Sequence, residues 1–154
     1  MAYVSKERKA ARAPVIKAVL KKYGLKGTLK VETHSTLVVT IRSGELDLIG
    51  MANNWHEKGA ERRGDTFSPY TGHVPVNVYW DGENARKHGE PVYADIIDEL
   101  VAALKGDDWY DNSDAMTDYF NTAFYYDIAI GDWDKPYVWT KAPEKTLDDV
   151  FKAA

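Results

Sequence analysis

The 154-residue chain has no cysteine. That excludes a disulfide framework, a thiolate zinc site and a cysteine nucleophile together, and it fits a reducing compartment. Long apolar runs are also missing: no stretch approaches the ~18 consecutive apolar residues of a membrane span. Met1 to Lys6 lacks the apolar run of a secretory signal, so the expectation is a cytoplasmic protein with no membrane partner. Phosphate loops of the forms G-x-G-x-x-G and G-x-x-x-x-G-K are absent, as are the nucleophile elbow G-x-S-x-G and the helical zinc motif His-Glu-x-x-His. His34, His56, His73 and His88 never pair at the i, i+4 spacing of two helical ligands.

What is present describes one ordinary domain. Hydrophobic residues make up 44% and charged residues 29% of the chain, and a domain of this length buries a core without a staple. Ser5 is placed to cap a helix over Lys6 to Tyr23, with Val15, Ile16, Val19, Leu20 and Tyr23 at helical spacing, Pro14 as its one irregularity and Gly24 as its stop. Thr28–Glu32 and Thr36–Arg42 read as a hairpin joined at His34-Ser35. Leu46–Trp55 reads as a short helix, Arg62 to Gly72 as a loop, and Val76–Trp80 as a strand ending in the turn Asp81-Gly82. A second long helix starts near Pro91 and ends at Gly106, with an apolar stripe from Val92 to Leu104. The longest strand is expected over Thr117–Ile130, with Phe120, Thr122, Phe124, Tyr126, Ile128 and Ile130 on its core face. Tyr137–Thr140 reads as an edge strand, and Leu147, Val150 and Phe151 as a closing helix after Pro143. Strands and helices do not alternate regularly, so the expected class is α+β. Its architecture is an antiparallel sheet carrying two main helices, in one domain spanning residues 1–154 with an insertion at 45–90.

Charge and aromatics carry the functional signal. Residues 1–44 hold ten Lys/Arg against two Asp/Glu, whereas residues 45–154 hold ten against twenty-two. The basic block lies on the first helix, where Lys6, Arg8, Lys9 and Arg12 are candidates for phosphate contacts. The aspartates at 107, 108, 111 and 114 lack the spacing and the glycine of a calcium loop and read as an Asx-rich turn. Five Trp and ten Tyr are many for this length. From Asp107 to Trp139 they interleave with aspartates, a composition that suits a protein interface and repels nucleic-acid phosphate. The candidate partner-binding residues are Trp109, Tyr110, Asp111, Asp114, Tyr119, Tyr125, Asp127 and Trp133. No metal ligand set, cofactor or catalytic residue emerges from the sequence.

Two stretches resemble a known family. One is Ala13-Pro14-Val15-Ile16-Lys17-Ala18-Val19-Leu20 with Leu29-Lys30-Val31 and Leu37-Val38-Val39-Thr40-Ile41. The other is Asp111-Asn112-Ser113-Asp114-Ala115-Met116-Thr117-Asp118-Tyr119-Phe120, continued by Phe124 to Gly131. Together they resemble the large-polyvalent-protein-associated domains, in particular the one numbered twenty-nine, over roughly residues 5–44 and 92–137. The resemblance implies an α+β domain of phages and conjugative elements, with no established activity and no catalytic residues to carry over. The expectation that follows is a non-enzymatic mobile-element protein in the host cytoplasm. It would bind a host protein or defence complex, as an anti-CRISPR or other anti-defence inhibitor does. Two alternatives stay open: nucleic-acid binding through the basic first helix, and an enzyme with a dispersed Asp/His site.

Overall fold

The computed structural model describes residues 2–107, 109–111 and 122–142. Helix α1 (Lys6–Lys22) starts at Ser5, whose hydroxyl accepts from the Arg8 N–H at 3.0 Å. Pro14 is accommodated inside it, and Gly24 follows its end with φ +67°. Strands β1 (Leu25–Glu32) and β2 (Thr36–Gly44) form the expected hairpin. Helix α2 (Leu48–Arg63), strand β3 (Val74–Val76), and helices α3 (Asp81–Lys87) and α4 (Pro91–Lys105) follow. Strands β4 (Tyr125–Ile130) and β5 (Val138–Trp139) complete the described chain.

The class is α+β, and the sheet order is β1-β2-β4-β3. The sheet is mixed rather than antiparallel. β1 pairs antiparallel with β2, and β3 with β4, but β4 and β5 both run parallel to β2. The reason is the connection after β2. It carries the chain across α2, α3 and α4 before β4 enters, and only such a long crossover delivers a strand in the same direction. Among the described residues the two main helices are α1 and α4, and α2 and α3 lie between them in the chain. Leu46–Trp55 was too short a reading, since the helix runs on to Arg63 and Gly64 ends it with φ +75°. The Val76–Trp80 strand is also corrected: β3 stops at Val76, Asn77–Trp80 is a turn, and Asp81 opens a helix.

The core lies between the sheet and the helices. Leu37, Val39 and Ile41 of β2 and Ile128 and Ile130 of β4 meet Ile16 and Leu20 of α1 and Ile96, Ile97, Leu100 and Leu104 of α4, all buried. The expected alternation holds along β4 from Tyr125 to Ile130, whereas Thr122, Ala123 and Phe124 precede the strand and are all buried, so the strand is shorter than expected; Phe120 and the strand's expected start, like the closing helix, lie outside the described residues. Val15 departs from the expected stripe. It is exposed on the flank of α1, beside a groove shared with Ala102 and Lys105 of α4. Residues 45–90 supply Leu48, Ala52, Trp55, Val74, Val76 and Ala85 to the same core cluster. No helix among the described residues is long and apolar enough to cross a membrane.

Candidate functional site

The aromatic-acidic segment divides between the two ends of β4. At the end where β4 begins, three stretches lie side by side: the Tyr3 N–H donates to the Ala123 carbonyl at 3.1 Å, and the Ala123 N–H donates to the Tyr110 carbonyl at 2.9 Å. The Tyr125 N–H donates to the Ser35 carbonyl, bringing the β1–β2 turn to the same place. Here Tyr3 is 58% exposed, Tyr110 43% and Tyr125 47%. Asp111 is exposed and accepts from the Thr122 hydroxyl at 3.2 Å. Asp127 lies two residues beyond Tyr125 on the same side of β4, and its carboxylate accepts from the Ile128 N–H. Desolvation raises its pKa, and Glu32 adds to the rise.

A fourth tyrosine joins this end from a distant part of the chain. Tyr79 is 70% exposed, and its ring centroid lies 6.4 Å from that of Tyr126. Partial desolvation raises the pKa of its hydroxyl; nearby Tyr126 and Asp111 push the same way, and Lys105 opposes them. The turn that presents Tyr79 is tightly fixed. The Asn77 side-chain oxygen accepts from the Tyr79 and Trp80 N–H groups at 3.0 and 3.2 Å, and the buried Asp81 carboxylate accepts from the Asn77 N–H at 2.8 Å. Trp80 is also exposed. Reading Val76–Trp80 as an alternating strand hid this, because alternation would turn one of the two rings inward. The signal that reveals it is Asn77 followed four residues later by Asp81, an Asx turn closed by a helix-starting carboxylate.

Trp109 has a different duty from the tyrosines around it. It is partly buried against the core, and its indole N–H donates to the Phe124 carbonyl at 2.8 Å. It stands edge-on to Tyr126 at 5.8 Å, and the Lys105 ammonium lies 4.6 Å from its ring centre. Its ring contact is the buried Tyr126, which also lies against Tyr79. Trp133 is at the other end of β4, beyond about 17 Å of strand at ~3.3 Å per residue. Asp114 and Tyr119 lie outside the described residues.

The basic helix is less available to phosphate than its sequence implies. The Arg12 guanidinium donates to the Ala103 carbonyl at 3.3 Å, capping the end of α4. Arg8 lies 5.0 Å over the Phe124 ring. Lys6 is exposed and Lys9 half-buried. No three His, Asp or Glu side chains converge on a metal position among the described residues.

A separate polar cluster lies between α2 and α4. Trp55 stacks on His56 at 3.6 Å, His56 meets Tyr70 edge-on, and Tyr93 is buried beside Trp55. Trp55 Nε1, His56 Nε2 and the Tyr93 hydroxyl are buried with no hydrogen-bond partner among the described residues. Burial lowers the His56 pKa to about 4, with Arg63 adding to the effect.

No family model, curated protein or solved structure matches this chain. The family resemblance therefore bears on the proposal alone.

Proposed function

We propose that this is a non-enzymatic binding protein whose partner surface is the tyrosine-rich end of the sheet: Tyr3, Tyr79, Tyr110 and Tyr125, with Asp111 and Lys105 among them. The observation that carries this reading is that four exposed tyrosines from four separate stretches of sequence gather at one end, on a hydrogen-bonded backbone. Tyrosine gives large amphipathic contact area and loses little conformational freedom on binding, which is why it recurs in binding surfaces. A fixed turn beneath Tyr79 lowers that cost further. The family resemblance supports a phage or mobile element as the source. On that basis the partner is a host protein complex, and inhibition of a defence complex is the form the binding takes.

The nucleic-acid alternative draws less support. Two of its four proposed phosphate contacts, Arg8 and Arg12, already serve the fold. Capture of tagged protein from host-cell lysate, washed at high salt with nuclease present, separates the two readings. The expected result is a discrete protein partner that survives both treatments. Recovery of nucleic acid alone, lost as salt rises, moves the function to α1.

A further inference from the structure

Strand β1 is the long open edge of the sheet. Among the described residues it pairs with β2 alone, so the backbone groups of its outer side form a row of donors and acceptors open to another strand. It runs for eight residues without a proline. The opposite edge is closed to pairing, because β3 has three residues with Pro75 in the middle. Side chains of β1 alternate between the two faces of the sheet. Gly27 lies on the helix-bearing face, where a Cβ would stand 3.3 Å from Leu20 of α1, and Leu29 and Val31 share that face. Lys26, Thr28, Lys30 and Glu32 are exposed on the other face. Leu29 and Val31 are only partly buried against the core, whereas their register partners on β2, Val39 and Leu37, are fully buried. The apolar layer thus ends at β1 with two half-covered side chains, and a strand added to this edge would cover them.

Lysines on an edge ordinarily discourage pairing. On β1 the charges instead discriminate between the ways in which the strand can pair with a second copy of itself. In a twofold antiparallel pair centred on Thr28, Lys26 would face Lys30 of the second copy. Centred on Lys30, the two Lys30 side chains would face each other. Centred on Leu29, Lys26 faces Glu32 of the second copy, and the twofold axis makes that pair occur twice. Thr28 then faces Lys30 without conflict. The same register sets Leu29 against Leu29 on the helix-bearing face, and Val31 against Gly27, which has no side chain to oppose it. Within one chain Glu32 meets Lys30 at 2.8 Å, but both are exposed, and such a pair costs little to exchange for another. Charge and apolar fit therefore coincide in one register, and that self-complementarity is what a twofold contact between identical strands requires.

We infer that β1 pairs antiparallel with β1 of a second copy of this chain, centred on Leu29, so that the two sheets join into one. The inference does not rest on the tyrosine surface. Antiparallel pairing points the β1–β2 turns of the two copies in opposite directions, which sets the two tyrosine surfaces at opposite ends of the dimer. The test is sedimentation equilibrium of the full chain from micromolar to millimolar concentration, with charge reversals at the two pairing positions. The unsubstituted protein should approach twice its chain mass of 17.4 kDa. Lys26→Glu sets glutamate against glutamate, and Glu32→Lys sets lysine against lysine. Each should weaken association at least tenfold. Lys26→Glu/Glu32→Lys restores both pairs in reverse and should bring association back to within threefold of the unsubstituted protein. Both positions are exposed, so thermal unfolding of all three variants should stay within a few degrees. A chain that keeps its single mass up to millimolar concentration overturns the inference. So does association that the single reversals leave unchanged, which would put the contact elsewhere. A folded double variant as weak as the single ones overturns the register and the inference with it.

Discussion

Truncating Trp109 removes the indole bond to the Phe124 carbonyl, the edge contact with Tyr126 and the ring beneath Lys105. Trp109→Ala should therefore cost about 3 kcal/mol in urea unfolding, the range for large aromatics lost from a packed site. Trp133→Ala should stay within about 0.5 kcal/mol, as substitutions away from packed features do. Equal losses for the two would contradict the different duties assigned to them. Sequence placed both rings in one aromatic-acidic segment, since it shows their spacing and not the strand that separates them. His56 supplies a pH prediction. Its folded pKa of about 4 lies below the ordinary value of 6.5. Between those values the unfolded chain binds the proton that the folded chain refuses. Stability is unaffected above pH 6.5, falls as pH drops, and levels off below pH 4. The effect should be about 2 kcal/mol, discounted for the ring's partial exposure. His56→Gln should flatten this part of the urea-midpoint profile, and an unchanged profile would contradict the buried neutral imidazole.

Elements were legible where one local signal decided them. Ser5 and Gly24 bound α1, Pro91 and Gly106 bound α4, and a β-branched run marks β2. The same signals misled between Leu46 and Lys87, where the turn at Asn77 outweighed alternation and α2 outran its apolar start. The direction of β4 was not legible either, because it depends on a crossover assembled from four later elements. The Asn77 turn is the element on which the binding account depends most. Asn77→Ala removes an acceptor shared by two N–H groups and should cost about 1 kcal/mol, as a lost cap does. It should also weaken partner binding, because Tyr79 loses its fixed position. At the opposite end, Gly131→Ala forces a side chain against two backbone atoms in a left-handed conformation. A loss of roughly 2–3 kcal/mol in thermal or urea unfolding is expected. A neutral result would mean that the 131–137 turn is not held as described.

At the scale of the whole molecule, charge is unevenly divided along the chain. The basic block falls largely on α1, whose Lys17 and Lys21 face solvent, while residues 45–154 are strongly acidic. Exposed charge on α1 steers the approach of a charged partner and sets its rate more than its final affinity. Lys6→Glu with Lys9→Glu should therefore change the association rate at low salt and leave the high-salt affinity nearly unchanged. The tyrosine end should control the affinity itself. The most direct measurement is the affinity of the captured partner for Tyr79→Ala/Tyr110→Ala/Tyr125→Ala, with thermal unfolding followed alongside. The expected result is a loss of at least a hundredfold with the unfolding temperature held within a few degrees, as when several interface anchors are removed from an exposed surface. A folded triple variant that binds the partner as tightly as the unsubstituted protein would contradict it.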